Sequence, residues 1–223
     1  LCVAVSVKEF EDMRNKVKNF DNVSMSCGVH PLHNEDVCSF DELLTHVSRD
    51  DVVAVGETGL DYFYSEETRE IQKSSFVDHI IAANKVNKPL IIHTRDARED
   101  TISLLKKHKG AHTRGVLHCF TESLEMAQEA MEMGFYISIS GIVTFASAKE
   151  LRETVKQIPL DKLLIETDSP WLAPVPHRGK ENEPANVVDV AYFIAELKGI
   201  SVAELGKATT DNFYKLFTQI KKS

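Results

Sequence analysis

Seven short apolar runs punctuate the chain, most of them followed by a polar cluster and then a helical pattern. They are LCVAVS (1–6), VSMSCGV (23–29), VVAVGE (52–57), PLIIH (89–93), GVLHCF (115–120), YISISG (136–141) and LLIET (163–167). Near-continuous apolar runs of this length are expected of parallel strands covered on both faces. The segments between them carry the helical period. Phe76, Ile80 and Ala83 follow i, i+4, i+7 spacing. Leu124, Ala127 and Met131 do much the same, and Gly134 stands where a C-terminal cap belongs. Ser147 with Glu150, and Ser201 with Glu204, have the spacing of capping boxes. Two helices, near 186–198 and 202–217, follow the last strand.

Strand and helix in alternation predict a parallel α/β fold. An open doubly wound sheet could hold seven units. A (β/α)₈ barrel needs eight and usually runs about 250 residues. The chain has 223 residues and opens at Leu1, already inside a strand pattern. The expectation is a single TIM-type (β/α)₈ barrel domain over residues 1–223, N-terminally truncated so that its first strand and helix are missing.

Charge narrows the function. The net charge is −8 and no basic tract appears, which argues against a sequence-reading DNA-binding module. A nucleic-acid enzyme remains open, because bound divalent cations and a few arginines can hold phosphates locally. Cys2, Cys27, Cys38 and Cys119 form no C-x-x-C pair, so free thiols in a reducing cytosol are expected. No apolar run has membrane-spanning length and no signal pattern opens the chain. A cytoplasmic location follows as an expectation.

The chemistry gathers at the strand ends. His30 follows the second strand. Glu57 ends the third, with Gly59 and Asp61 just beyond. His93 ends the fourth, followed by Arg95 and Asp96. His118 lies near the end of the fifth, and the seventh runs into Asp168. In a barrel these are carboxyl ends, the face that carries the active site. Taken alone, His93 reads as a core histidine, Glu57 as a helix cap and Asp168 as a turn residue. Their recurrence at successive strand ends favours a divalent metal site, since imidazole and carboxylate together suit Zn, Mn, Fe or Co and carboxylates also accept Mg. Unpaired carboxylates in a dry mouth would be costly. Glu166 points opposite to Asp168 by strand alternation, or else supports a ligand from behind. His33, His46, His79, His108 and His112 are expected on solvated loops or helix faces. The proline-rich loop APVPHRGKENEPA (173–185) carries Arg178, which could hold a phosphodiester oxygen bidentately. Trp171 could stack on a base, although packing beside Pro170 is the plainer reading.

These segments resemble the TatD family of metal-dependent deoxyribonucleases, within the amidohydrolase-like barrels. GVHP (28–31), GETGLDY (56–62), PLIIHTRDARED (89–100), LHCF (117–120), SGIVTF (140–145), ETDSPWLAPVPHRGKENEP (166–184) and TTDNF (209–213) are similar to its signature segments, over the whole chain. The long loop and GIVTF look closest to the YcfH-type bacterial branch. The resemblance implies two divalent ions per subunit, Mg, Zn, Mn or similar. Glu57 would bridge them, with His93 and His118 completing one site and Asp168 serving the other. It implies that His30, Asp61, Arg95 and Arg178 meet the substrate, with Asp168 and Glu57 catalytic. The substrate would be DNA, single-stranded or at 3′ ends, with no membrane partner. The family opens with an H-x-H pair that this sequence does not hold, so the site of Asp168 is expected to be weakened. Two other functions fit the same residues: a metal-dependent amidase or lactonase, and a non-catalytic binding protein.

Overall fold

The computed structural model describes residues 1–221. Its strands are β1 (Cys2–Val3), β2 (Met25–Cys27), β3 (Val52–Asp61), β4 (Leu90–Arg95), β5 (Gly115–Leu117), β6 (Tyr136–Ile139) and β7 (Leu163–Ile165), and strand order is chain order. The helices are α1 (Val7–Val17), α2 (Phe40–Val47), α3 (Arg69–Val86), α4 (Arg98–His108), α5 (Leu124–Glu132), α6 (Lys149–Gln157), α7 (Val187–Lys198) and α8 (Val202–Leu216). The chain divides into two compact units. One holds Leu1–Val116 with the segment from Leu216, and the other holds Leu117–Lys215.

In the first unit, β1–β2, β2–β3 and β3–β4 all pair in parallel. Every residue of β3 is buried, as expected of a strand covered on both faces. This strand runs four residues past its expected end. Glycine explains the extension. At Gly59, φ is +136° and a Cβ would lie 1.9 Å from the carbonyl oxygen of His93. Only a residue without a side chain lets the backbones meet there. The pairing Gly59↔His93, Leu60↔Thr94, Asp61↔Arg95 then carries β3 to Asp61 and β4 to Arg95. By contrast, β1 keeps only two residues of the expected six. Ser6 leaves the strand to cap α1, its hydroxyl accepting the Glu9 N–H at 3.2 Å.

The second unit pairs β6 with β7 in parallel through Ile137↔Leu163 and Ile139↔Ile165. Its helices are capped much as expected. Gly134 follows α5 with φ +95°, and Ser201 accepts the Glu204 N–H at 3.1 Å. The proposed capping box at Ser147 does not form. Helix α6 starts at Lys149 with Ala148 at its N-cap, and no side chain caps it. At the other end of the unit, the Asn212 side chain donates to the carbonyls of Leu160 and Leu163 at 2.7 and 2.9 Å, which ties α8 to the start of β7. Among the described residues no helix is long and apolar enough to cross a membrane, and the four cysteines are free.

Candidate metal centre

Among the described residues three donor clusters form: His33, Glu35 and Asp36 make one at the short turn Asn34–Asp36, and the strand-end candidates make one in each unit. In the first unit, His30, Glu57 and His93 each present a ligand atom within 4.8 Å of the others. Glu57 Oε1 lies 3.2 Å from His30 Nε2 and 3.3 Å from His93 Nδ1. The other nitrogen of His93, Nε2, lies 3.0 Å from Asp61 Oδ2. Asp61 is an acceptor, so the His93 ring proton belongs on Nε2. That leaves the Nδ1 lone pair facing Glu57. A histidine held from behind by a carboxylate is the usual arrangement of a metal ligand.

His30 differs. Its Nδ1 accepts the Leu32 N–H at 3.1 Å. A neutral imidazole has one lone pair, so the proton sits on Nε2, turned to Glu57. His30 is thereby a donor, suited to an anionic oxygen. The family resemblance implies a role toward phosphate for it, and its ring also belongs to the donor cluster.

Asp61, expected among the substrate contacts, is 1% exposed. Its Oδ2 accepts from His93 and its Oδ1 accepts the Tyr64 N–H at 2.9 Å. The Gln72 side chain brackets its backbone, accepting the Asp61 N–H at 2.8 Å and donating to its carbonyl at 3.0 Å. Burial alone would raise the Asp61 carboxyl. The bonds from His93 and Tyr64, with the charge of Arg95, outweigh burial and hold it below the usual carboxylate range. Arg95 stacks its guanidinium over Phe63 and Tyr64, at 4.1 and 4.6 Å from the ring centres.

In the second unit, His118, Glu166 and Asp168 form the other strand-end cluster. Strand β5 ends at Leu117, one residue before His118, and Cys119 turns left-handed with φ +43°. Glu166 holds this turn. Its Oε1 accepts the Cys119 N–H at 2.8 Å and lies 3.2 Å from His118 Nδ1, while its Oε2 accepts the Ser138 hydroxyl at 2.5 Å. His118 Nδ1 thus carries the proton, and Nε2 keeps its lone pair. Strand β7 stops at Ile165, so strand alternation does not reach Glu166 or Asp168. Asp168 has φ +59°, a conformation uncommon for a side-chain-bearing residue and concentrated at functional sites.

Beyond Asp168 the chain forms a pinned loop. The Trp171 N–H donates to the Asp168 carbonyl at 2.9 Å. Asn182, almost fully buried, donates its side-chain amide to the carbonyls of Thr167 and Trp171 at 2.8 and 2.7 Å. Arg178 is exposed and lies 3.6 Å over the Phe145 ring. Trp171 is 71% exposed, so packing beside Pro170 does not describe it.

His79 is not solvated as expected from the sequence but 1% exposed in the core. Its Nε2 accepts the Val29 N–H at 3.0 Å and its Nδ1 donates to the Ser75 carbonyl at 2.7 Å. Burial drives its pKa down to about 4. His79 had no distinctive sequence signal, because it acts through a partner distant in the chain, whereas Glu166 takes the second of its two expected places, behind His118.

The donor set fits divalent ions. Each strand-end cluster offers one imidazole lone pair, on His93 or His118, and each of these rings is held on its far side by a carboxylate. Glu57 adds a carboxylate to the first cluster and Asp168 adds one to the second.

Comparison with known proteins agrees with the fold and with metal-dependent hydrolysis as the class. A metal-dependent hydrolase named YcfH from Escherichia coli K12 is 53% identical over 217 residues, spanning 97% of this chain and 82% of that protein. A mouse protein named putative deoxyribonuclease TATDN3 is 33% identical over 236 residues, spanning 99% of this chain and 78% of its own length. The crystal structure of the TatD homologue YJJV from Escherichia coli K12 superposes with a TM-score of 0.91 at 29% identity, covering 97% of this chain and 85% of that one. The fold is the α/β, TIM-barrel type of these neighbours, carried here by seven strands. The model of the TatD related DNase family matches residues 1–218, and the chain belongs to that family. By class it is a metal-dependent hydrolase.

Proposed function

We propose that the protein hydrolyses phosphodiester bonds of DNA, using one divalent ion at each strand-end cluster, Mg, Zn, Mn or similar. Glu57 with His93 would hold one ion, and His118 with Asp168 the other. A bound ion supplies Lewis-acid activation of water and neutralises charge on phosphate oxygens. The remaining steps belong to the side chains. Asp168 takes the proton of the attacking water as general base. His30 donates a hydrogen bond from its Nε2–H to a phosphate oxygen, and Arg178 pairs with the phosphate bidentately. Asp61 and Glu166 orient the rings of His93 and His118 and keep their proton positions fixed. The free thiols suit a reducing cytoplasm.

The observation that supports this most is the pairing of two histidines with buried-side carboxylates, His93 with Asp61 and His118 with Glu166. The test is nuclease activity of the metal-loaded protein on single-stranded DNA. Asp168→Ala is expected to lose about 10²–10⁴-fold in rate, the span of a lost general base. Full activity in that variant would exclude the base role. Arg178→Ala separates phosphodiesterase from amidase or lactonase chemistry, because only the former needs a cation on the substrate. Absence of bound metal after dialysis, with no rescue by added metal, would favour a non-catalytic binding protein.

A further inference from the structure

The loop from Asp168 to Asn182 carries a second feature, a groove of about 720 Å³. Its volume lies within the range of small-ligand sites, roughly 300–1,000 Å³. Phe145, Trp171, Leu172, Arg178, Lys180 and Glu181 are among its walls. Trp171 presents its ring to solvent. The Arg178 guanidinium lies over the Phe145 ring, 3.6 Å from its centre. Arg178 and Lys180 have no acidic partner among the described residues, although Glu181 shares the wall. The groove is firmly held. Asn182 ties Thr167 and Trp171 together, its own N–H donates to the Pro170 carbonyl at 2.9 Å, and the Val175 N–H donates to the Thr144 hydroxyl at 3.0 Å.

We infer that this groove is a nucleotide subsite, in which Trp171 stacks on the unpaired base next to the phosphate that Arg178 holds, with Lys180 adding a second cation at that phosphate. The inference rests on the phosphodiesterase reading and extends it beyond the reacting group. An exposed aromatic face beside unpaired cations matches a nucleotide, which joins a flat π-surface to an anion. Neither an acidic peptide nor an isolated phosphate would make use of the tryptophan face. A base inside a duplex does not offer its face either, so the occupant belongs to a single strand or a frayed end. The Trp171–Asp168 backbone bond fixes the stacking ring only three residues from the second donor cluster.

Trp171 is the sole tryptophan of the chain, so its fluorescence reports the contact directly. The wild-type protein is titrated with a short single-stranded oligodeoxynucleotide, and with an abasic strand of the same length. Both titrations are run in chelator and again with Ca²⁺. The base-bearing strand is expected to quench Trp171 and the abasic strand to leave it bright. By anisotropy of a labelled strand, Trp171→Ala should weaken binding of the base-bearing strand by about 5- to 150-fold, the range of one lost stack. It should leave abasic binding unchanged, and Trp171→Phe should restore most of the affinity. Equal quenching by both strands, no binding under either condition, or unchanged affinity in Trp171→Ala would overturn the subsite. Failure of the two readings is distinguishable. Base-dependent quenching in a protein that cuts no phosphodiester would sink the hydrolytic reading and leave the subsite standing. Cutting without base-dependent quenching would do the reverse.

Discussion

His79 Nε2 accepts the backbone N–H of Val29 at 3.0 Å, one residue before His30. A buried, neutral imidazole thus sets the backbone that aims His30 at Glu57. The arrangement makes stability depend on pH. An ordinary imidazole titrates near 6.5, while burial holds His79 near 4. The unfolded chain therefore binds this proton at higher pH than the folded one. The contribution of His79 is fully present above pH 6.5 and is lost as pH falls from 6.5 toward 4, up to roughly 3 kcal/mol. His79→Leu should flatten that dependence. It should also cost about 1–3 kcal/mol at pH 7, because the Val29 N–H loses its acceptor. Urea midpoints at pH 7.5 and pH 5 for both proteins measure the two effects. An equally steep acid loss in the variant would remove His79 as its source.

At Gly59 the backbone of β3 touches that of β4 so closely that an added methyl would overlap the His93 carbonyl oxygen. The φ of +136° is also rare for any residue with a Cβ. Neither conflict can be relieved by a side chain moving, since the atom in the way is backbone. Gly59→Ala should cost more than about 3 kcal/mol or prevent folding, placing it among the exceptional single substitutions. Thermal unfolding followed by circular dichroism checks this. A normal melting profile would show that the strands can part without loss.

The parallel α/β order was legible because apolar runs alternate with 3.6-residue periodicity, a signal local to each segment. His93 and Glu57 became candidates for the same reason: each stands where an apolar run ends. What could not be read was set by contacts across the chain. The extension of β3 through Thr58 to Asp61 depends on Gly59 meeting His93. His79 looks like a solvated helix residue until Val29, fifty positions away, is packed against it. Glu166 followed strand alternation only if the strand continued, and β7 stops at Ile165. The burial of Asp61 against His93 was hidden for the same reason, because sequence shows its charge and not its surroundings.

Glu166 serves three donors with two oxygens: His118, the Cys119 N–H and the Ser138 hydroxyl. Glu166→Gln keeps an acceptor but removes the charge that raises the basicity of His118. Divalent-metal affinity at the second cluster should fall by about 10–100-fold, the usual cost of losing a partner behind a ligand. Glu166→Ala should do the same and also destabilise the fold, since the Cys119 N–H loses its acceptor. Calorimetric titration with Mn²⁺ measures the first effect and chemical denaturation the second. Unchanged metal binding in both variants would mean that His118 is not a ligand.

Asn182 fastens the loop that follows Asp168. Its amide donates to Thr167 and Trp171, and its oxygen accepts from the Glu183 N–H and the Asn186 side chain, both at 3.0 Å. With 4% exposure, water cannot readily replace these bonds. Asn182→Ala should cost roughly 2–4 kcal/mol by leaving several buried groups unpaired. Asn182→Asp should do no better, because it keeps the acceptor but sets an anion against two carbonyl oxygens. Both variants should loosen Trp171, which is measurable as a drop in the steady-state fluorescence anisotropy of this single tryptophan. Such a drop without a comparable fall in stability would still assign Asn182 the role of holding the loop. A rigid Trp171 in both variants would mean that the remaining backbone bonds, Trp171 to Asp168 and Asn182 to Pro170, hold it unaided.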